Sequence, residues 1–445
     1  MYCLLRPCFQ KSLHLATKIK LKYVCLGFGF IVLLDFFGAF THLFEIPYDS
    51  KFAYPYEGDV HEFVNALRNN EKPVVDPINE YKFAYLIDNQ QKCVDVASNT
   101  FRVVYVIKSS VENFERRSTI RKTWGFENRF FDVPSKTIFI LGNHPHDDEL
   151  QAKVKIEAAK YKDIVQADFM DSYYNNTTKT MMGFKWLVKY CTNSKFYMFV
   201  DDDMYVSVKN VLRFIRNPAN YPDYLKEPKK FDAHKREIKE TDEREDSDND
   251  TSVYTIHGKL AKRIYPLKQD LYENTTASVN DTKQYSNLKL RPFQGEILKD
   301  SEIVNRTKRQ IFDFELPEDV RLFAGFVFVS SPHRHKSSKW YISLSEYPYH
   351  LWPPYVTAGA YILSKEALLD MYYTSLYTKH FKFDDIFLGL VAKKAEIEPF
   401  HCEEFHFYKK DYTKFNYKYV ITSHGYGDPN ELLTVWNEQK ALGNA

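Results

Sequence analysis

The stretch Phe196–Asp203, FYMFVDDD, constrains this chain more than any other. Phe196 to Val200 are aromatic or apolar without a break, which reads as a strand buried on both faces. Three carboxylates follow at once and put concentrated negative charge at the carboxyl end of a sheet, the edge where open α/β sheets bind ligands. Carboxylates this close repel, and burial raises their pKa values unless a positive group sits among them. A hard divalent cation, Mn²⁺ or Mg²⁺, answers that need with oxygen ligands and bridges to a phosphate-bearing ligand. In extended geometry Asp201 and Asp203 face one side and Asp202 the other. The competing reading is a solvated acidic turn.

Arg6, Lys11, Lys18, Lys20 and Lys22 precede an apolar run from Tyr23 to about Phe44. A basic flank followed by about 20 apolar residues predicts a transmembrane signal-anchor over 23–44. It leaves a cytoplasmic tail over 1–22 and a luminal remainder. Asp35, inside the run, would cost about 2.5–3.5 kcal/mol at the bilayer centre. Tyr23–Leu34 also fits a signal-peptide core, although no clear small-x-small cleavage site follows. Residues 45–100, with Pro47, Pro55, Pro73 and Pro77, read as a stem. Beyond the anchor stand Cys93, Cys191 and Cys402, which allow at most one disulfide among them and do not say which. Glycan sequons at Asn175, Asn176, Asn249, Asn274, Asn280 and Asn305 agree with a luminal chain. The nearly balanced charge, net +2, carries no nucleic-acid signature.

From Phe101 the pattern alternates. Strands are predicted at Phe101–Lys108, Thr137–Leu141, Ile164–Phe169 and Phe196–Val200, with helices opening at RRSTIRKTWG (Arg116–Gly125) and covering Glu149–Tyr161, Thr178–Tyr190 and Val208–Ile215. This is the signature of a mostly parallel sheet with helices on both faces. About 222–318 is highly charged and reads as a surface insertion, within which Val253–Ile256 could add a hairpin. Strands resume at Leu322–Ser330 and Val356–Ser364, followed by a helix from Lys365 and by FKFDDIFLG (Phe381–Gly389). Gly359 suits a close backbone approach to a ligand or a plain turn. Asp384 and Asp385 suit helix caps as well as catalysis.

RRSTIRKTWG, FILG, ADFMDSYYNNTTKT, FYMFVDDD, WPPYVTAGAYILS and FDDIFLG occur in that order. Together they resemble the β-1,3-glycosyltransferase family that contains the β-1,3-galactosyltransferases and β-1,3-N-acetylglucosaminyltransferases. The resemblance spans about Phe101 to Pro429 and is interrupted by the insertion. Gln439 departs from it, because the family pattern expects a cysteine after VWNE as a partner for Cys402.

The resemblance implies a GT-A-type nucleotide-sugar-binding fold, a metal-dependent UDP-sugar donor and inversion at the transferred sugar. Asp201 and Asp203 would hold Mn²⁺ (or Mg²⁺), with His424 of SHGYGDP a third ligand competing with His401 and His406. Asp202 joins the donor-binding set, and Asp385 matches the family's general base. Arg117 and Arg121, one helical turn apart, are expected to face the uridine-phosphate region, with Lys179 also on the donor side. The implied reaction is transfer of N-acetylglucosamine from UDP-GlcNAc, in β-1,3 linkage, to a β-mannosyl or β-galactosyl acceptor on a glycolipid or glycoprotein. A UDP-galactose-dependent galactosyltransferase is the alternative. A Golgi membrane location, single-pass type II, goes with both. The different class is a membrane-anchored carbohydrate-binding protein whose acidic triplet holds calcium.

Overall fold

The computed structural model describes residues 21–53, 59–94, 100–130, 133–226 and 316–445. The strands are β1 (Tyr85–Ile87), β2 (Phe101–Lys108), β3 (Ser135–Asn143), β4 (Ile164–Met170), β5 (Ser194–Asp201), β6 (Tyr205–Val206), β7 (Phe323–Phe328), β8 (Tyr355–Ser364), β9 (Phe400–His401), β10 (Phe405–His406) and β11 (Thr422–Ser423). The helices of two turns or more are α1 (Leu21–Phe36), α2 (His61–Arg68), α3 (Phe114–Lys122), α4 (Asp148–Tyr161), α5 (Asn176–Tyr190), α6 (Val208–Arg216), α7 (Lys365–Ser375), α8 (Asp384–Lys394) and α9 (Pro429–Ala441).

The main sheet runs β1-β4-β3-β2-β5-β8-β7-β9, and β4, β3, β2 and β5 within it are parallel. This is the mostly parallel α/β architecture that the alternation of strand and helix predicts. Along β5, Tyr197 and Phe199 enter one apolar core while Phe196, Met198 and Val200 enter the other. A strand with both faces covered has no place for polar side chains until it ends, which is why the carboxylates begin at Asp201. From β2 the chain winds outward through β3 and β4, then returns to lay β5 on the other side of β2. The crevice between the carboxyl ends of β2 and β5 is therefore a topological switch point, where such sheets take ligands.

Helices α5, α7 and α8 cover one face of the sheet. Gly389 lets α8 lie close to β8, since a Cβ there would stand 2.6 Å from the Cβ of Tyr355. Ser364 ends β8 and caps α7, its hydroxyl accepting from the Ala367 amide. Helices α3, α4, α6 and α9 cover the other face.

Several boundaries differ from the sequence reading. The expected span over 23–44 is helical only to Phe36; a turn and a short 3₁₀ segment, Thr41–Phe44, follow. The 16 residues of α1 rise about 24 Å against a hydrocarbon core of about 30 Å. Among the described residues no helix is long and apolar enough to cross a membrane. Asp35 lies in the last turn of α1 and pairs with Lys336 at 2.6 Å. The expected stem does not hang free: Arg68 of α2 bridges Glu366 and Asp370 of α7, and Cys93 is disulfide-bonded to Cys191 after α5. Cys402 is buried and forms no disulfide, and the Gln439 side chain, where the resemblance leads one to expect cysteine, donates to the Lys414 carbonyl at 3.0 Å. Most of the expected tail and insertion, with Val253–Ile256 and the sequons at Asn249, Asn274, Asn280 and Asn305, lies outside the described residues.

A further unexpected attachment joins Glu45 to Arg334. The guanidinium is buried and donates from Nε to Glu45 Oε1 at 2.7 Å and from its other nitrogens to the carbonyls of Ile342, Tyr347 and Tyr349. Glu45→Ala leaves a buried cation without its counter-charge, so it is expected to lower stability by about 3–5 kcal/mol. Denaturant unfolding of variant and parent measures this, and a change within error would mean that residues 45–50 detach freely.

Candidate active site

The carboxyl ends of β2 and β5 are in register, Lys108 beside Asp201. The Lys108 ammonium is buried and reaches Asp201 Oδ1 at 3.0 Å, Asp384 Oδ2 at 2.8 Å and the Ala358 carbonyl at 3.1 Å. Burial alone would lower its pKa, but Asp201 and Asp384 outweigh it and hold the group well above its ordinary value. One lysine thus joins the end of β5 to the start of α8. Nothing in the local sequence marks it beyond being the one charged residue at the end of an apolar strand.

The three strand-end carboxylates have different surroundings. Asp202 is buried: its Oδ2 accepts from Ser109 Oγ at 2.7 Å and Asn113 Nδ2 at 2.9 Å, and its Oδ1 from Arg116 Nη1 at 2.9 Å. It braces the loop between β2 and α3. Asp203 has one oxygen 3.3 Å from His424 Nε2, while its Oδ1 is buried without a hydrogen-bond partner. The pairing of β6 with β11, Tyr205 opposite Ser423, carries His424 alongside Asp203, and the Tyr426 amide fixes the Asp203 carbonyl at 2.7 Å. Burial disfavours the Asp203 carboxylate, yet the His424 hydrogen bond and charge and Arg116 hold its pKa below the ordinary value. The same hydrogen bond to Asp203 raises that of His424. Burial, together with the like charges of Asp203 and Asp384, pushes Asp201 up to about 7 against the pull of Lys108.

Arg117 and Arg121 are not brought to this cluster, which corrects the expectation that they face the donor. They do share one helix face, as their spacing says, but that face turns inward onto α4 and its neighbouring loop. Arg117 is fully buried, with Nη2 2.7 Å from Glu157 and its remaining donors on Ser109, Ser110 and Val111. Arg121 holds Glu157 and Asp163, both at 2.7 Å. Arg116 is the arginine that reaches the acidic cluster. Its Nε donates to the Gly427 carbonyl at 3.0 Å, and a Cβ on Gly427 would stand 2.6 Å from Nη2. Lys179 is buried on Asp171 at 2.7 Å and the Ser109 carbonyl at 2.8 Å, so it supports the same loop from behind.

Asp384 and Asp385 open α8, whose N-cap is Phe383, without a side-chain cap bond. Asp384 is buried, and its Oδ2 also accepts from Thr180 Oγ1 at 3.0 Å. Asp385 is half-buried, and burial followed by the charge of Asp384 raises its pKa to about 7, against the Ile386 amide and Lys108. A cleft of about 430 Å³ is lined by Asp201 and His424 on one side and by Asp384 and Asp385 on the other, with Trp340, Tyr355 and Phe407 among its aromatic walls. Gly359 also lines it; a Cβ there would touch only Met204, so the protein's own packing does not require glycine. His401 is turned elsewhere, its Nδ1 accepting from the Val327 amide at 3.1 Å, and His406 lies beside Lys410 and Glu404.

Among the described residues no three His, Cys, Asp or Glu side chains converge as a ready metal site. Asp203 and His424 are the pair the fold does bring together, and the orphaned, buried Asp203 Oδ1 is an acceptor of the hard kind that Mn²⁺ or Mg²⁺ takes.

The strand-end acidic cluster at the switch point thus faces a second acidic pair across an aromatic-walled cleft. Residues 115–271 and 303–403 match the galactosyltransferase family. The chain is 34% identical over 416 residues to the β-1,3-galactosyltransferase brn of Drosophila melanogaster, covering 93% of this chain and 94% of that protein. It is 26% identical to the human β-1,3-galactosyltransferase 1, covering 82% of this chain and 81% of that protein. A further relative, the human lactosylceramide 1,3-N-acetyl-beta-D-glucosaminyltransferase, is 26% identical over 87% of this chain and 76% of its own length. The chain belongs to the galactosyltransferase family, whose members named here include enzymes for both galactose and N-acetylglucosamine.

Proposed function

We propose that the protein is an inverting, metal-dependent β-1,3-glycosyltransferase that moves N-acetylglucosamine from UDP-GlcNAc to a β-mannosyl or β-galactosyl acceptor carried on a glycolipid. One observation carries this reading: a single cleft is lined both by Asp201 and His424, from the strand-end cluster, and by Asp385. A sugar transfer needs both ends of such a cleft, one to receive a departing diphosphate and one to take a proton from the incoming hydroxyl. Asp203 and His424, with Asp201 beside them, would hold Mn²⁺ or Mg²⁺. When bound, that ion supplies Lewis-acid neutralisation of the diphosphate.

The acceptor hydroxyl gives its proton to Asp385 as its oxygen bonds to the anomeric carbon. The bond from that carbon to UDP breaks, and UDP leaves with the electron pair. Attack opposite the leaving group inverts the anomeric centre. Asp384 is a poor candidate for the base because Lys108 and Thr180 already engage its Oδ2. In this reading Arg117, Arg121, Lys179 and Asp202 position the β2–α3 loop, and Arg116 is the arginine nearest the donor phosphates.

N-acetylglucosamine as the donor sugar is supported by the likeness to the human lactosylceramide enzyme. Galactose is the second reading, favoured by the names of the Drosophila and human galactosyltransferases. Incubating the full chain with each UDP-sugar and a panel of β-mannosides and β-galactosides separates the two. UDP release is expected to be at least about ten-fold faster from UDP-GlcNAc, with a β-1,3-linked product. The opposite preference selects galactose, and glycan binding without UDP release from either donor selects the non-enzymatic class. We further propose a Golgi membrane location in type II orientation with α1 in the anchor, supported by side chains such as Leu26 and Phe28, 68% and 69% exposed.

A further inference from the structure

We propose that the base of α1, the turn Thr41–Phe44 and the loop 335–340 form one surface that lies against the lipid bilayer and seats the mouth of the acceptor cleft at the membrane face. The inference rests on the reading of α1 as part of the anchor.

Three sets of contacts weld the base of α1 to that loop. Asp35 pairs with Lys336 at 2.6 Å, and the Lys336 amide donates to the Phe36 carbonyl at 3.2 Å. The Phe37 ring meets His335 edge-on, with centroids 4.7 Å apart. After the turn, Glu45 holds the buried Arg334, the Ile46 amide donates to the Pro348 carbonyl at 2.9 Å, and the His350 amide donates to the Ile46 carbonyl at 3.1 Å. No free tether therefore separates the end of α1 from the catalytic domain.

Between these contacts the turn presents two large apolar side chains to solvent, Leu43 at 76% and Phe44 at 71% exposure. Isolated exposed apolar residues are ordinary, but these continue the exposed apolar surface of α1. The loop welded to the base of α1 carries lysine and tryptophan: Lys336 and Lys339 are exposed, Lys339 Nζ lies 4.4 Å from the Trp340 ring centroid, and the Trp340 indole donates to the Tyr173 hydroxyl at 3.0 Å. Apolar side chains flanked by tryptophan and lysine suit the zone where acyl chains give way to phosphates, since the ring is amphipathic and the ammonium meets the phosphate charge. The occupant that fits is a lipid bilayer.

Trp340 of the same loop, with His333 and Ile342 just beyond its two ends, lines the cleft together with Asp385. A surface that rests on lipid at residues 335–340 therefore holds the cleft mouth within a few residues' reach of the headgroups. A glycan whose reducing end is fixed in that same bilayer arrives already positioned, whereas a soluble glycan gains nothing from the arrangement.

The test uses the full chain in phosphatidylcholine vesicles, with two acceptors bearing the same β-linked disaccharide, one on a glycolipid in the vesicles and one on a water-soluble glycoside. Leu43→Glu with Phe44→Glu removes the apolar contact without touching the cleft. The expected result is a fall of about ten-fold or more in kcat/KM for the lipid-borne acceptor, with the soluble glycoside unchanged within about two-fold. Equal losses on both acceptors, or no loss on either, overturn the inference. Vesicle flotation keeps the two readings apart. A parent protein that does not float removes the anchor reading and this inference with it. A parent that floats, with equal losses on both acceptors or none on either, removes this inference alone.

Discussion

Asp203→Ala is expected to abolish sugar transfer, by about 10³-fold or more in kcat/KM, while leaving the protein folded. Its Oδ1 is buried with no partner, and its other oxygen meets only His424. No fold-defining hydrogen bond is lost with that side chain, because the Tyr426 amide uses the Asp203 backbone carbonyl. His424 and Arg116 favour the Asp203 carboxylate in the fold against its burial, so the thermal midpoint should hold or fall slightly. Lost turnover with an unchanged midpoint is the signature of a ligand-holding carboxylate. UDP binding, read by calorimetry with Mn²⁺ present, should weaken in parallel. The decisive control is the parent enzyme in excess chelator: full activity there would show that no divalent cation acts at Asp203.

Asp385→Asn is expected to lower turnover by about 10²–10⁴-fold with donor affinity retained. The asparagine keeps the shape at the start of α8 but cannot take the acceptor proton. A purely structural role would change activity only a few-fold, since the N-cap of α8 is Phe383 and not this residue. The pH profile supplies an independent check. Burial and Asp384 raise the Asp385 pKa from 3.8 to about 7, so below that value the free enzyme carries the protonated, inactive base. kcat/KM should therefore climb as pH rises toward about 7 and level off above it, and the residual rate of Asp385→Asn should lack that limb. Stability has the opposite sign. Between the unfolded and folded pKa values the native state binds more protons, so the contribution of Asp385 to stability falls as pH rises through this range. Asp385→Asn should accordingly be at least as stable as the parent at pH 8. A variant that keeps most of its turnover would move the base to another residue, and one that loses stability instead would make Asp385 structural.

Much of the framework was legible because it follows from periodicity. The strands Phe101–Lys108 and Val356–Ser364 and the helices over Glu149–Tyr161 and Thr178–Tyr190 agree with the structure to within two residues at each end. The attachment of the expected stem was not legible, for a physical reason: His61–Arg68 and the prolines around it carry few apolar residues, yet the segment is held by Arg68, by the Cys93–Cys191 disulfide and by Val64 in the core. Charge pairs and cross-links between distant segments leave no period to read. The anchor reading overran because composition does not record where a helix stops, and Gly38, at φ +78°, marks the stop only once its backbone is seen.

What the sequence determined alone was the strand buried on both faces, the carboxylates massed at its end and the family motifs in their order. Those depend on neighbours along the chain, where alternation and adjacency are enough. Only the tertiary structure decided which arginine serves the cluster. Spacing tells that Arg117 and Arg121 share a helix face; it does not tell that the face packs on Glu157 and leaves Arg116 for Asp202. It likewise decided that Lys108 joins Asp201 to Asp384, a residue 276 positions away. A buried charge must find its counter-charge wherever the fold brings one, and that distance through space is not written in distance along the chain.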